Sequence, residues 1–201
     1  VSVFPPEGFV TSSSAVVLSG EVSGATTLTV NGTPVAIVNN LFSSDPLPLA
    51  EGAQSFLLVA TDLAGNPTPL ARSIVRDSLS PGVTISQPAP GVVGSSPVTV
   101  AGTATDPHLA QVLVNGQAAA IAGASYSLTG LALVEGANEI VVEAFDAVGN
   151  PPGTASVAVT VWAKRSQSLR IRSAGLLAQR VADLAQQHHI FRGSRGGGGR
   201  G

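Results

Sequence analysis

The sequence predicts an all-β protein: two β-sandwich modules in tandem, followed by a short C-terminal tail that is partly helical and then disordered. The 201 residues are 44% hydrophobic and 11% charged, and they include 23 Gly and 14 Pro. This composition is typical of many short strands separated by turns. An internal repeat and an abrupt change of charge then divide the chain into its parts.

The internal repeat consists of short motifs that recur at a fixed distance. Three motifs return 84 positions later: Asp62–Asn66 as Asp146–Asn150, Asn31-Gly32 as Asn115-Gly116, and Glu51–Ala53 as Glu135–Ala137. Nearer the start Gly20 pairs with Gly102 at an offset of 82, so the second copy has a two-residue insertion near Asp106-Pro107-His108. Two copies of one module, each of about 80 residues, explain the pattern.

Each copy carries strand and turn signals. About seven short strands are predicted per copy, spaced by turn residues at roughly 8 to 12 positions, which indicates an immunoglobulin-like sandwich. Asn31-Gly32 and Asn115-Gly116 lie between strand-like runs and predict hairpin turns whose residues adopt positive φ. In the long strand after each Glu-Gly-Ala motif, alternation places these residues in the core: Phe56, Leu58 and Ala60, and then Ile140, Val142 and Ala144.

The charge distribution sets the last boundary. Residues 1–162 carry 11 acids against two arginines, a net charge of −9, and residues 163–201 carry eight bases against one acid, a net charge of +7. We predict immunoglobulin-like repeats at 1–77 and 83–162, a short linker at 78–82 that holds them end to end, and a basic tail at 163–201. The tail is expected to be helical over 168–190 and then disordered and Gly/Arg-rich. Alternatives are a segment that contacts nucleic acid or anionic lipid, or the product of a frame error.

The Asp-x-x-Gly-Asn motif has two interpretations. As a turn, it uses Asp62 or Asp146 to accept backbone N–H bonds, Gly65 or Gly149 to take a left-handed conformation, and Asn66 or Asn150 to tolerate one. As a calcium site, it uses the carboxylates of Asp62 and Asp146 as ligands. Calcium needs six to eight oxygen ligands, and one carboxylate per turn is too few without neighbouring loops, so the turn is favoured.

The motifs also resemble a known family. The segment Leu133–Asn150, with the sequence LVEGANEIVVEAFDAVGN, and its counterpart Leu49–Asn66 are similar to bacterial immunoglobulin-like repeats of the type found as domain B of glucodextranase. The resemblance covers residues 1 to about 162. It implies the sandwich fold and a place in large secreted or cell-surface bacterial proteins, as a spacer, an adhesin stalk or an accessory domain of a hydrolase.

The sequence offers no constellation for catalysis. It has no cysteine, and His108 is the only histidine within either copy, so we expect a solvated loop histidine and no enzyme activity. The acids lie apart, and the few aromatic residues fall mostly at core positions, which argues against paired catalytic carboxylates and a sugar-stacking surface. No cofactor is expected, apart from calcium in the alternative above.

Three functions are compatible with these features. The first is a non-catalytic spacer and interaction module of an exported or cell-surface bacterial protein, with an adhesin-like stalk as its form. The second is an accessory domain of a secreted carbohydrate-active enzyme or peptidase, and the third is a set of loops that bind calcium or a protein ligand. The expected partners are neighbouring domains of a larger protein, with surface proteins or polysaccharide as further candidates. We expect no nucleic-acid partner and no transmembrane segment.

Overall fold

The computed structural model describes residues 1–162, which form strands and connecting turns and contain no helix. The all-β, immunoglobulin-like fold class is therefore confirmed. Nothing in this part of the chain could serve as a membrane-crossing helix. The tail at 163–201, with its predicted helix and its Gly/Arg-rich end, lies outside the described residues.

The first module contains short strands at its start and two long strands at its end. Its strands are β1 (Ser2–Phe4), β2 (Phe9–Thr11), β3 (Ala15–Val16), β4 (Ser19–Glu21), β5 (Ala25–Val30), β6 (Thr33–Val35), β7 (Ile37–Val38), β8 (Leu41–Ser43), β9 (Leu47–Pro48), β10 (Gly52–Asp62) and β11 (Pro67–Arg76).

The second module repeats this succession with fewer interruptions. Its strands are β12 (Gly82–Gln87), β13 (Gly91–Val93), β14 (Val98–Thr105), β15 (Leu109–Val114), β16 (Gln117–Ala118), β17 (Ala120–Ala122), β18 (Ser125–Leu131), β19 (Gly136–Asp146) and β20 (Gly153–Val161). β12 begins at Gly82, the last residue of the predicted linker.

The two modules share the strand order of their two main sheets, and the first module has a further two-stranded sheet of β3 and β9. In the first, a four-stranded sheet runs β1-β4-β8-β7 and a five-stranded sheet runs β2-β11-β10-β5-β6; in the second, the corresponding orders are β12-β14-β18-β17 and β13-β20-β19-β15-β16. All pairings are antiparallel except β2 with β11 and β13 with β20, which are parallel. The initial segment of each module therefore contributes one strand to each sheet.

Each sandwich has its own core, and the predicted strand register is confirmed. Phe56, Leu58 and Ala60 of β10 are buried in the first core, and Ile140, Val142 and Ala144 of β19 are buried in the second. Phe42 and Tyr126, which occupy equivalent positions, are also buried. Alternation along the two longest strands was sufficient to identify the faces that pack inward.

One predicted strand is interrupted in the first module only. The run from Val16 to Val22 divides into β3 and β4, whereas the equivalent β14 is continuous. At the break, the backbone N–H of Leu18 donates to the Ser44 hydroxyl at 3.0 Å, and the Ser44 N–H donates to the Leu18 carbonyl at 2.8 Å. The second module has Leu128 in the place of Ser44, within the continuous β18, so this side-chain substitute for a ladder bond is missing there.

Gly20 and Gly102 occupy equivalent positions in the two modules. Each lies on the strand, β4 or β14, that pairs with the first strand of its module. A Cβ atom at Gly20 would collide with the carbonyl oxygen of Ser2, and one at Gly102 with the carbonyl oxygen of Thr84. The absence of a side chain thus permits the pairing of β1 with β4 and of β12 with β14.

Candidate functional site: the junction between the modules

The Asn-Gly hairpins of the two modules have the same geometry. Asn31 and Gly32 have φ values of 49° and 82°, and Asn115 and Gly116 have values of 46° and 77°. Each Asn side chain also accepts a hydrogen bond from the backbone of a neighbouring strand. The Leu57 N–H of β10 donates to Asn31 Oδ1 at 2.8 Å, and the Val141 N–H of β19 donates to Asn115 Oδ1 at 2.7 Å. The Asn residues therefore anchor their hairpins to β10 and β19, a role that the turn signal alone does not reveal.

The first Asp-x-x-Gly-Asn turn connects β10 to β11 and is closed by its own residues. Asp62 Oδ1 accepts the Asn66 N–H at 2.8 Å, and Asp62 Oδ2 accepts the Asn66 side-chain amide at 2.9 Å. Gly65, with φ of 87°, donates its N–H to the Asp62 carbonyl at 3.1 Å. The Asn66 side-chain bond, followed by its backbone bond, holds the pKa of Asp62 below its ordinary value.

The second turn, between β19 and β20, binds its carboxylate more extensively. Asp146 Oδ1 accepts the N–H groups of Val148, Gly149 and Asn150 at 3.0, 2.7 and 3.1 Å, and Asp146 Oδ2 accepts the Asn150 amide at 2.7 Å. Burial alone would raise the pKa of Asp146, but these hydrogen bonds, led by that of the Asn150 side chain, lower it below its ordinary value. Both carboxylates are thus used within their turns. Calcium binding at Asp62 or Asp146 stays a prediction.

The second turn also holds the segment that joins the modules. The Asn150 side-chain amide donates to the main-chain carbonyl of Asp77 at 3.0 Å, across 73 residues of sequence. The backbone N–H of Asp77 donates in the opposite direction, to the Thr11 carbonyl of β2 at 2.9 Å. Asp77 is therefore bonded through its main chain to both modules, and we group this last residue of the first repeat with the adjoining linker, 78–82.

A second contact to Asp77 comes from the loop between β14 and β15. The Asp77 carboxylate contacts His108 Nδ1, and their side chains are 6% and 27% exposed. The loop is fixed by the His108 N–H, which donates to Asp106 Oδ1 at 2.7 Å, and by the Ala147 N–H, which donates to the His108 carbonyl at 2.9 Å. The expectation that His108 is a solvated loop histidine is wrong, because its ring packs against a buried carboxylate.

The first module holds the next residue of the linker. Glu51 Oε1 accepts the Ser78 N–H at 2.9 Å, and Glu51 Oε2 accepts the Ser78 hydroxyl at 2.8 Å. Glu51 also lies 3.9 Å from Arg76 Nε at the end of β11. Further along, Pro81 is buried, and its carbonyl lies so close to Gly153 that a Cβ atom there would collide with it.

These contacts define the junction: the segment Asp77–Pro81 together with Glu51 from the first module and His108 and Asn150 from the second. The sequence identified Glu51 only as part of a repeated motif and Asn150 only as a turn residue. Their link to Asp77 and Ser78 involves long separations in sequence and follows no periodic pattern. The available signal was the insertion that carries Asp106 and His108, because it distinguishes the second copy from the first.

The comparison with protein families supports the resemblance drawn from the motifs. Residues 81–164 match the family model described as glucodextranase, domain B. The resemblance to this type of domain is therefore confirmed over the second module. No curated protein sequence matches the chain.

Solved structures with similar folds come from several contexts. The fibronectin(III)-like modules of Clostridium thermocellum CbhA are 19% identical, with coverage of 80% of this chain and 93% of that chain and a TM-score of 0.45. Mouse clustered PcdhgC3 EC1-3 is 15% identical, with coverage of 79% and 66% and a TM-score of 0.41. Murine CEACAM1b is 9% identical, with coverage of 80% and 98% and a TM-score of 0.41.

Proposed function

We propose that this protein is a non-catalytic spacer of an exported or cell-surface bacterial protein, which holds the neighbouring domains at a defined separation and orientation. The observation that carries the proposal is that side chains of both modules form hydrogen bonds to the linker. Glu51 of the first module binds Ser78, and Asn150 and His108 of the second bind Asp77. A linker bound in this way transmits the orientation of one module to the next.

The bonds to Ser78 offset part of the conformational entropy that the linker loses on ordering. Ordering the backbone of one linker residue costs roughly 1–2 kcal/mol. A hydrogen bond to a charged group returns about 1.5–3 kcal/mol, and Ser78 makes two such bonds to Glu51. Pro81 further reduces the entropy that the linker loses on ordering. The two bonds to Glu51 therefore offset the cost of ordering Ser78 itself.

The dimensions also suit a spacer. The longest strands, β10 and β19, have 11 residues each. At about 3.3 Å per residue, a strand of that length spans roughly 36 Å, so two modules in series extend to about 70 Å. The match to glucodextranase domain B supports the exported location, and the adhesin-like form is part of the proposal.

Small-angle scattering of the full chain tests the spacer function. A single compact globule of 201 residues has a radius of gyration of about 16 Å, and we expect a value above about 20 Å. The variant Asn150→Ala should broaden the distribution of interatomic distances, because it releases Asp77. The matched control is Asn66→Ala, which removes the same bond within the other turn but touches no linker residue. A compact globule, or equal broadening in both variants, contradicts the proposal.

A second candidate is an accessory domain of a secreted carbohydrate-active enzyme, and the family match favours it. If the accessory role includes sugar binding, the exposed Trp162, at 68%, is a side chain on which a sugar ring could stack. Native electrophoresis in gels that contain dextran separates the candidates. The spacer migrates unretarded, whereas a sugar-binding module is retarded and loses the retardation on Trp162→Ala.

A further inference from the structure

The junction brings together three side chains of a kind that bind metal ions. They are Asp77 after β11 and Asp106 and His108 from the loop between β14 and β15, and their ligand atoms all lie within 4.8 Å of one another. The geometry points to a binding site for a divalent transition-metal ion such as Zn²⁺. One ligand comes from the linker and two come from the second module. This inference goes beyond the spacer function, since a spacer needs no ion.

The donor atoms select the class of ion. Zn²⁺ binds imidazole nitrogen and carboxylate oxygen at about 2.0–2.2 Å in a four-coordinate arrangement, and sites with three protein ligands leave the fourth position to water. Two ligands of a four-coordinate Zn²⁺ lie about 3.3 Å apart, and the three ligand atoms here all lie within 4.8 Å of one another. Calcium takes six to eight oxygen ligands, and a histidine nitrogen does not suit it. The set therefore favours zinc-like ions over calcium.

The electrostatics of the cluster favour a cation. Two carboxylates lie within this small volume, and the Asp77 side chain is only 6% exposed. Asp77 Oδ1 receives a single long bond, from the Leu79 N–H at 3.4 Å. Asp146, by contrast, receives four bonds of 2.7–3.1 Å from its own turn. Asp77 Oδ2 contacts His108 Nδ1, and a dication bound by both side chains would replace this contact and neutralise the buried carboxylate.

Two ligands are positioned before any ion binds. Asp106 Oδ1 accepts the His108 N–H at 2.7 Å, which fixes the loop and leaves the other oxygen of Asp106 for coordination. The Asp77 main chain is held by Asn150 at 3.0 Å and by Thr11 at 2.9 Å. Contacts within the protein therefore hold the loop of Asp106 and the main chain of Asp77 in place without any contribution from an ion.

The site belongs to this junction and has no equivalent in the first module. Where the second copy has Thr105-Asp106-Pro107-His108, the first has Ser23-Gly24. The insertion thus supplies both ligands of the second module. An ion bound here would cross-link the linker to the second module and add its binding free energy to the stability of the junction.

Titration calorimetry of the full chain with ZnCl₂ tests the site. His188 and His189 are replaced by Gln in every sample, so that His108 is the sole remaining histidine of the three. We expect one Zn²⁺ per chain and no comparable heat with CaCl₂. His108→Gln and Asp106→Asn should each weaken binding at least about tenfold, whereas Glu135→Gln, an acid on a turn of the second module, should leave it unchanged.

Cobalt absorption and thermal unfolding complete the test. Co²⁺ should give the visible absorption of a four-coordinate site, lost in His108→Gln, while unfolding curves without metal show that the variants are folded. An absence of zinc binding, or zinc binding that persists in both His108→Gln and Asp106→Asn, overturns the inference. The scattering test of the spacer is made without metal, so its outcome is separate from this one.

Discussion

The side-chain amide of Asn150 donates to the main-chain carbonyl of Asp77 at 3.0 Å while also donating to its own turn partner, Asp146 Oδ2, at 2.7 Å. One side chain thus closes a turn and holds the linker. The equivalent Asn66 closes its turn through Asp62 Oδ2 at 2.9 Å. Asp146 accepts more backbone N–H groups than Asp62 does, and of the two Asn side chains only that of Asn150 also makes a contact between the modules.

We predict that Asn150→Ala destabilises the protein more than Asn66→Ala does. Both variants lose a charge-assisted bond to the turn carboxylate, but only Asn150→Ala leaves the Asp77 carbonyl without its donor. The additional loss should be about 1 kcal/mol in the free energy of unfolding, measured by denaturant titration of both variants. Equal losses would mean that the Asn150–Asp77 bond contributes nothing in solution.

We predict that the protein loses stability in acid through the same turns. The pKa values of Asp62 and Asp146 lie below their ordinary values, so both groups bind protons less readily in the folded state. Their contribution is complete above the unfolded pKa, near 3.8, and is lost as the pH falls through the lower folded values.

The double variant Asp62→Asn/Asp146→Asn is the control for this acid dependence. Thermal unfolding from pH 7 to pH 2 should show a smaller fall in melting temperature for the variant than for the unmodified protein. Identical curves for the two proteins would show that other carboxylates cause the acid sensitivity.

The sequence predicted the fold better than the junction for a physical reason. The Asn-Gly turns and the facing of β10 and β19 follow from local conformational preference and from a two-residue period. The contacts Asp77–His108 and Asp77–Asn150 span 31 and 73 residues and depend on how one module sits against the next. A lone histidine in a loop gives no local signal of such a partner, and this is why His108 was expected to be solvated.

We predict that Gly102→Ala is strongly destabilising. The new Cβ would collide with the carbonyl oxygen of Thr84 and lie 2.7 Å from the Tyr126 hydroxyl, so β12 must move away from β14. Such overpacking costs roughly 1–3 kcal/mol, and the value here should lie near the upper end because backbone atoms must shift. Denaturant unfolding provides the measurement, with Gly94→Ala as the control, since a Cβ at Gly94 meets open space. A loss below that of the control would refute the steric argument.

We predict that the single tyrosine, Tyr126, ionises at higher pH than a free phenol and that its ionisation destabilises the second module. Tyr126 is 2% exposed and donates its hydroxyl to the Thr84 carbonyl at 2.8 Å, and burial raises its pKa above the ordinary 10.0. A raised folded pKa means that the stabilisation is complete below pH 10 and is lost as the pH rises through the folded value.

Phenolate absorbance during alkaline titration reports this residue alone. Tyr126→Phe, which copies Phe42 of the first module, should cost about 1 kcal/mol at pH 7 and reduce the alkaline loss of stability. Titration of Tyr126 at the pH of free tyrosine, with the fold intact, would contradict the prediction.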